Sequence, residues 1–262
     1  MISSDRIVSI LKRKYDIENV DIAIVVGSGL MDATVDLEDT QIVPYESLRM
    51  PKSKVKGHSG KFIFGKYNNK NVVLVSRIHF YESGDMKKVR LPFEVIKKLG
   101  VKTVVFLTSC GGINKTFRVG DIMLIKDHIN FTGYNPLIGI NPLEFTPMAN
   151  AYDDELFNKI AKIADSHDIN LRQGVHVQFS GPSYETMAEI DVARNFGADT
   201  VSMSTVYDCI ICNYLKMQVC AIASVVNVFN NKGDELNHEE VLENAKKACE
   251  KIKTLLSDLF KE

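Results

Sequence analysis

A carboxylate follows the end of an apolar strand in the stretch 177–186. This stretch begins as an alternating apolar run and passes through a Gly-Pro turn. We expect Ser183 to be the N-cap of a helix and Glu185 to lie in the first turn of that helix. Because α/β proteins bind their ligands at strand ends, Glu185 is a candidate ligand-binding residue. The alternative is that Glu185 only complements the helix dipole, as many acids in a first turn do.

Arg77 and His79 have the spacing of an oxyanion pocket. They lie just beyond a predicted strand and are separated by one residue, so in an extended segment both side chains point to the same face. A guanidinium fork beside an imidazole suits an oxyanion. The alternative is a surface arginine and a histidine bonded to the backbone. His58, between two glycines at 57 and 60, is either an anion ligand or a loop-packing residue.

Polar or glycine-rich turns end four of the predicted strands. They are Gly27-Ser28-Gly29, Arg77-Ile78-His79, Thr108–Gly112 and Ser202-Met203-Ser204. Glycine turns let the backbone approach a ligand and direct several N–H groups at it, which suits a phosphate. The first turn is not a dinucleotide fingerprint, because Asp32 stands where G-x-G-x-x-G has its third glycine. No Walker A sequence occurs, so NTP hydrolysis has no support.

Strands and helices alternate along the chain. We expect strands at 21–26, 61–64, 71–76, 103–108, 121–125, 175–179, 199–202 and 218–226. We expect helices at 3–15, 88–99, 153–167, 184–195, 205–215 and from about residue 238 onward. Residues 42–56, 130–150 and 228–237 have an irregular pattern, and a loop as long as the second is usually functional. The pattern predicts one α/β domain over residues 1–262, with a central mixed, largely parallel twisted sheet flanked by helices.

The composition argues against several classes of protein. A formal net charge of −1 gives no global field that would recruit nucleic acid, and no apolar run reaches the length of a membrane span. Five cysteines without a signal-peptide core predict reduced thiols in the cytoplasm. The pair Cys209 and Cys212 falls in an apolar helix, so we expect burial rather than zinc binding. The six histidines are dispersed, and no metal site is expected.

A series of motifs runs from residue 21 to the final helix. They are Gly27-Ser28-Gly29-Leu30, Val55-x-Gly57-His58-x-Gly60, Arg77-x-His79-x-Tyr81-Glu82, Gly111-Gly112-Ile113-Asn114, Gly181-Pro182-Ser183-Tyr184-Glu185-Thr186, Met203-Ser204-Thr205, Asn227 and Asn237-His238-Glu239-Glu240-Val241. In these motifs the chain resembles the trimeric purine nucleoside phosphorylases, the family that includes the methylthioadenosine phosphorylases. It is most similar to the members that act on inosine and guanosine.

The resemblance implies phosphorolysis of a purine nucleoside to free base and (deoxy)ribose 1-phosphate, in cytoplasmic purine salvage, by a homotrimer. Inorganic phosphate would be a co-substrate, and no cofactor is implied. The implied phosphate site is Ser28, His58, Arg77, His79, Ser109 and Ser204. The implied ribose site is Tyr81, Met203, His238 and, from a neighbouring subunit, Phe145. Tyr184, Glu185 and Asn227 would bind the base, and Glu185, Asn227 and His79 would be the catalytic residues.

The chemistry of the residues agrees with this assignment. Breaking the glycosidic bond builds positive charge on the sugar, which a dianionic phosphate stabilises, and negative charge on the base, which hydrogen bonds stabilise. Asn227 can bond N7 and O6 of a 6-oxopurine, and an ionised Glu185 can accept from N1–H. A 6-aminopurine has no N1–H, so inosine and guanosine are favoured. Alternatives are a phosphorylase that prefers xanthosine or methylthioadenosine, a hydrolase, and a catalytically weakened nucleoside-binding protein.

The chain departs from the family pattern at several positions. Thr108-Ser109-Cys110 replaces the usual Asn-Ala-Ala or Asn-Ser-Ala, and Met31 replaces a common glycine. Tyr207-Asp208 stands where Pro-Glu is usual, and Val228 stands where a lysine or a small residue is common. The loop at 228–237 is shorter than usual. These changes bear on substrate range and rate, whereas the anion and purine contacts are retained.

Overall fold

A sheet of nine strands lies at the centre of the described chain. The computed structural model describes residues 2–51, 53, 60–140, 145–229 and 238–261, without the side chain of residue 238. The strands are β1 Ile22–Val26, β2 Glu38–Pro44, β3 Lys61–Tyr67, β4 Lys70–Ser76, β5 Thr103–Gly112, β6 Ile122–Asn130, β7 Leu171–Gln178, β8 Thr200–Ser202 and β9 Gln218–Val228. Their order in the sheet is β2-β3-β4-β1-β5-β8-β7-β6-β9.

The sheet is mixed, and part of it closes on itself. The parallel pairs are β1–β4, β1–β5, β5–β9, β6–β7 and β7–β8. The antiparallel pairs are β2–β3, β3–β4, β5–β8 and β6–β9. Because β9 pairs with both β5 and β6, the strands β5, β8, β7, β6 and β9 form a ring. The carboxyl ends of β1, β4, β5 and β9 therefore point to one edge, where polar turns follow them.

Helices cover both faces of the sheet. They are α1 Ser4–Tyr15, α2 Met86–Lys98, α3 Asp154–Ser166, α4 Met187–Asn195, α5 Val206–Tyr214 and α6 His238–Leu259. Along β1, Ala23 and Val25 pack in the core cluster that contains residues of α1, α2 and α5. Ile22, Ile24 and Val26 pack in the cluster that contains residues of α3 and α6. Burial on both faces explains the continuous apolar strand, and the predicted α/β fold class is confirmed.

Some element boundaries differ from those expected from sequence. The prediction that irregular structure begins at residue 42 was wrong, because β2 runs to Pro44 and pairs with β3. β2 escaped detection because it is an edge strand with one buried residue, Val43, so its apolar alternation is weak. β5 and β6 also extend beyond their expected ends, to Gly112 and Asn130.

A β-bulge interrupts the pairing of β5 with β9. Cys110 lies opposite Val225, but Gly111 lies opposite Asn227, so Val226 is an extra residue in β9. Bulges bend a strand and redirect its side chains. The last residues of β9 thereby turn toward the polar edge of the sheet.

All five cysteines are buried free thiols, including Cys209 and Cys212 in α5, as expected. Within the described ranges no helix has both the length and the apolar character to span a bilayer. The described parts of the predicted long loop, 131–140 and 145–150, contain neither helix nor strand.

Candidate active site

A pocket opens at the polar edge of the sheet, next to the carboxyl ends of parallel strands. The turns after β1, β4 and β8 line it, together with the carboxyl-terminal parts of β5 and β9 and the segment before α4. It brings together ten residues predicted from the sequence: Ser28, Arg77, His79, Tyr81, Ser109, Tyr184, Glu185, Met203, Ser204 and Asn227. We call Arg77, His79 and Ser204 the anion half, and Tyr184, Glu185 and Asn227 the base half.

Arg77 is the centre of the anion half. Its side chain is only 2% exposed, and its Nη1 donates a hydrogen bond to Ser204 Oγ at 2.8 Å. Its Nε lies 3.0 Å from Asp208 Oδ2, close enough for an ion pair but not aligned for a hydrogen bond. Its Nη2 is buried and finds no acceptor among the described residues. A buried guanidinium with an unused donor is suited to binding an anion.

Asp208 is the countercharge of this guanidinium. It lies in α5 and is almost completely buried. Burial raises the pKa of its carboxyl group, while the charges of Arg77 and His79 oppose that rise. Sequence reasoning noted Asp208 only as a departure from the family pattern. The signal was nevertheless present, because a lone acid in an apolar helix indicates a buried partner.

His79 is held beside Arg77 by Glu82. Its backbone N–H donates to Glu82 Oε1 at 2.9 Å, and its ring Nδ1 lies 3.2 Å from the same oxygen. Its ring also stacks on Tyr81, with centroids 4.9 Å apart. Burial lowers the pKa of His79; Glu82 opposes this shift, and the charge of Arg77 adds to it. Because a carboxylate only accepts, Nδ1 carries the proton in this contact and Nε2 of the neutral ring is an acceptor.

The glycine turn after β1 packs closely against β5. A Cβ on Gly27 would lie 2.6 Å from the carbonyl oxygen of Leu107, so no larger residue fits without a shift. Ser109 Oγ donates to the carbonyl oxygen of Ser28 at 2.6 Å, which ties the turn to β5. The backbone of Ser28 and Ser109 therefore forms one wall of the pocket, next to Thr108, whose Oγ1 is 3.4 Å from Ser204 Oγ.

Asn227 projects into the base half from the bulged end of β9. Its Nδ2 is buried and finds no hydrogen-bond acceptor within the described part of the chain. Gly111 makes room for it, since a Cβ there would lie 3.1 Å from Nδ2 and 2.4 Å from the ring of Phe229. A buried amide with an unused donor is costly unless a ligand completes it. Asn227 is therefore placed to bind an acceptor atom.

Glu185 lies before α4, not within it. The predicted N-cap at Ser183 and the predicted first-turn position of Glu185 were wrong. Thr186 is the N-cap, and its side chain and Glu189 form a capping box. The helix dipole is complemented by Glu189, so the alternative role proposed for Glu185 does not apply. Burial raises the pKa of Glu185; its own backbone N–H opposes the shift, and the nearby Glu189 carboxylate adds to it.

Between the two halves lie Tyr81 and Met203. A Cβ on Gly181 would lie 2.6 Å from Met203 Sδ and 3.1 Å from Tyr81 Cδ1, so both side chains press on the same backbone segment. The Gly181–Pro182 peptide in that segment is cis. Tyr184 follows it and is 42% exposed at the mouth of the pocket.

Three predicted residues are not in this pocket as described. His58 lies outside the described residues, and His238 begins α6 with its side chain outside that description. Phe145 is 95% exposed and lies beside Asn213, Tyr214 and Lys216, away from the pocket of its own chain. Among the described residues, no cluster of three or more potential metal ligands occurs.

Comparison with known proteins gives the same assignment at several levels. Residues 21–261 match the family described as the phosphorylase superfamily. Purine nucleoside phosphorylase 1 of Bacillus subtilis is 39% identical, with 93% of this chain and 91% of that protein aligned. The rat purine nucleoside phosphorylase is 36% identical over 95% of this chain and 91% of its own length.

Solved structures agree with the sequence relatives. The Schistosoma mansoni purine nucleoside phosphorylase in complex with inosine has a TM-score of 0.91 and 30% identity, covering 100% of this chain and 98% of that one. The same enzyme in complex with adenosine has a TM-score of 0.90 and 31% identity, covering 100% of this chain and 99% of that one. The resemblance found in the motifs is confirmed: this chain belongs to the phosphorylase superfamily and, within it, to the purine nucleoside phosphorylases.

Proposed function

We propose that this protein catalyses the phosphate-dependent, reversible cleavage of the N-glycosidic bond of 6-oxopurine nucleosides. The products are the free base and ribose or deoxyribose 1-phosphate. One observation carries the proposal: a single pocket holds two unused buried donors, Arg77 Nη2 and Asn227 Nδ2. The first suits an anion and the second suits the acceptor edge of a purine. Relatives named purine nucleoside phosphorylase, and neighbours solved with inosine or guanosine, support it.

Phosphate binds in the anion half. Arg77 supplies charge and the free Nη2 donor, and Ser204 supplies a hydroxyl that Arg77 already orients. The neutral His79 presents Nε2 as an acceptor, which suits a phosphate oxygen that carries a proton. Ser28, Ser109 and His58 complete the site. The bound anion stabilises the positive charge that develops on the sugar, and its oxygen then bonds to C1′ as the base departs.

The purine binds in the base half. Asn227 Nδ2 donates a hydrogen bond to N7, which gains electron density as the glycosidic bond breaks. The amide N–H group of Asn227 also donates a hydrogen bond to O6. Glu185, when ionised, accepts from N1–H and so favours a 6-oxopurine. Tyr184 covers the face of the base at the mouth of the pocket. Asn227 and Glu185 are catalytic through the charge they stabilise on the departing base.

The ribose lies between the halves, on Tyr81 and Met203. His238 reaches its 5′-hydroxyl. Phe145 acts in trans by covering the ribose of a neighbouring subunit, and its exposure outside the pocket of its own chain supports this arrangement. The assembly is then a homotrimer in which each site borrows one aromatic ring. Purine salvage in the cytoplasm is the expected role, with inorganic phosphate as co-substrate and no cofactor.

The test is to mix the protein with inosine in the presence and absence of inorganic phosphate. We expect hypoxanthine and ribose 1-phosphate only when phosphate is present. Hypoxanthine release without phosphate, giving free ribose, would identify a hydrolase instead. No release from any purine nucleoside would leave a nucleoside-binding protein. Parallel reactions with guanosine, xanthosine, adenosine and methylthioadenosine rank the substrates.

The choice of base is tested by Asn227→Asp. An aspartate oxygen cannot donate to O6 but accepts from a 6-amino group, so the ratio of inosine to adenosine turnover should fall by at least about tenfold. Asn213→Asp is a matched control, because Asn213 bonds the carbonyl oxygens of Ala151 and Cys209 outside the pocket. An unchanged ratio in Asn227→Asp would contradict the assigned contact with the base.

A further inference from the structure

His176 is a wholly buried histidine with a hydrogen-bond partner at each ring nitrogen. It lies in β7 opposite Thr200 of β8. Its Nδ1 is 2.9 Å from Thr200 Oγ1, and its Nε2 is 2.9 Å from Ser202 Oγ. Such a residue is not needed to fill an apolar core, because burying two polar nitrogens is costly unless both are bonded. Its partners lead directly to the anion half.

The partners of Ser202 fix the proton on His176. The Ser202 hydroxyl donates to the carbonyl oxygen of Ser204 at 3.0 Å and accepts from the Ser204 N–H at 3.2 Å. With the hydroxyl proton of Ser202 directed at the carbonyl oxygen of Ser204, we assign the proton of His176 to Nε2, which donates to Ser202 Oγ. Nδ1 is then the acceptor for the hydroxyl of Thr200. Burial lowers the pKa of His176 to about 3, so the ring stays neutral in this arrangement near neutral pH.

The turn that His176 supports is strained. Thr205 has a φ of 84°, a value that β-branched residues rarely adopt. Its Oγ1 is buried and has no partner in the described part of the chain. Gln178, two residues along β7 from His176, holds the other side of the turn, where its Oε1 accepts from the N–H groups of Val206 and Tyr207 at 2.9 and 3.1 Å.

We propose that His176 is a positioning residue for phosphate: through Ser202 it fixes the 202–205 turn, so that Ser204 and Arg77 are preorganised to bind the anion. Gln178 anchors the same turn from its helical side. Ser204 Oγ accepts from Arg77 Nη1, so the orientation of the turn sets the orientation of the guanidinium. His176 itself does not line the pocket and touches no substrate. The inference rests on the proposed function, because it assigns phosphate to the anion half.

The test compares two amide variants. In His176→Gln the amide nitrogen replaces Nε2 and can still donate to Ser202. In His176→Asn the amide replaces Nδ1 and reaches only Thr200. Both variants replace the ring with an amide, and they differ from each other by one methylene and by the ring nitrogen that the amide replaces. We expect His176→Asn to raise the KM for phosphate at least about tenfold with the KM for inosine within threefold, and His176→Gln to stay within about threefold of wild type for both substrates.

A double-mutant cycle tests the contact between His176 and Ser202 without depending on the behaviour of a single variant. Ser202→Ala removes the same hydrogen bond from the other side, together with the two hydrogen bonds between Ser202 and the Ser204 backbone, so it should raise the KM for phosphate at least as much. The double variant His176→Asn/Ser202→Ala should be no worse than Ser202→Ala alone, because His176 acts on the turn only through Ser202. Effects on the phosphate KM that multiply, an unchanged phosphate KM in His176→Asn, or an equal rise in both KM values would overturn the proposal.

Thermal unfolding with inorganic phosphate alone separates this proposal from the proposed function. Phosphate should raise the Tm of wild type and His176→Gln, and raise that of His176→Asn less. If phosphate raises the Tm of wild type and His176→Gln more than that of His176→Asn, but wild type does not cleave inosine by phosphorolysis, the proposed function fails and the role of His176 stands. If all three proteins gain equally, the role of His176 fails whatever the activity of the enzyme.

Discussion

The two halves of the pocket are built differently. The anion half is supported from behind by buried polar groups: Asp208 pairs with Arg77, and Glu82 binds His79. The base half is formed by the bulged end of β9 and by an irregular segment before α4, where Tyr184 is 42% exposed. We infer from this contrast that the side-chain positions in the anion half depend on interactions that also stabilise the fold. The side chains of the base half can be replaced with little effect on the stability of the fold. Substitutions in the first should cost both stability and activity, and those in the second activity alone.

Arg77→Met should have the largest effect, because it leaves the Asp208 carboxylate buried without a countercharge. Breaking a buried ion pair on one side costs about 3–5 kcal/mol of unfolding free energy. The measurement is urea denaturation followed by circular dichroism. The double variant Arg77→Met/Asp208→Asn should regain most of that stability but none of the phosphate-dependent turnover. Full stability in Arg77→Met would show that the anion half is not tied to folding.

Glu185→Ala should reduce inosine turnover by about 10²-fold, the loss expected when one group that stabilises developing charge is removed. Its unfolding free energy should change by less than about 0.5 kcal/mol. Glu189→Ala is the matched control, since Glu189 belongs to the capping box of α4. That control should lose about 0.5–1 kcal/mol of stability and keep its turnover. The reverse pattern in the two variants would invalidate the division between the halves.

The pH dependence of stability should report on His176 behind the anion half. Its pKa is lowered from the ordinary 6.5 to about 3, so between these values the unfolded state binds more protons than the folded state. Stability therefore rises with pH through this window and is lost as the solution is acidified. From pH 7 to pH 5 this residue should account for about 2 kcal/mol of lost unfolding free energy. In urea titrations, His176→Gln should lose about that much less than wild type; equal losses would contradict the burial of a neutral ring.

Tyr184→Ala should have the smallest of these effects. Stacking of an aromatic side chain on a base contributes about 1–3 kcal/mol, so the KM for inosine should rise by about tenfold. The KM for phosphate and the unfolding free energy should stay near those of wild type, because Tyr184 is partly exposed and lies in the base half. Steady-state kinetics with each substrate varied in turn give both constants. A parallel rise in the phosphate KM would mean that the halves are coupled.

Much of the fold could be predicted because its signals are local. The strands β3 and β4 were both expected, and Asn68 and Asn69 in the turn between them have the positive φ values that asparagine tolerates. The start of α4 was misplaced even though Thr186 and Glu189 have the spacing of a capping box. A serine after a Gly-Pro turn is a competing N-cap signal, and hydrogen bonds rather than residue type decide between the two.

The residues that line the site were predicted better than the residues that support them, because the supporting contacts join positions far apart in the chain. Motifs pointed to the residues that line the pocket, because each lies at the end of a recognisable strand. Glu82, which supports His79, lies within one of those motifs. The supporting roles of Asp208 and His176 were missed, since their partners are far away in sequence. Arg77 and Asp208 are 131 positions apart, and the sequence around either residue does not predict that the other is its partner. His176 likewise lies within a strand whose sequence gives no sign of the turn that it holds.

The bulge at the end of β9 has a consequence for how such an enzyme changes its choice of nucleobase. Side chains along a strand point alternately to the two faces of the sheet. The single extra residue Val226 therefore changes the face to which every later side chain of β9 points. The amide of Asn227, which we propose selects the purine, therefore faces the pocket because of the number of residues that precede it, while Gly111 across the strand pair leaves room for it. A substitution at position 227 changes the chemical group that faces the pocket, whereas deletion of one residue before it would turn that side chain away from the pocket.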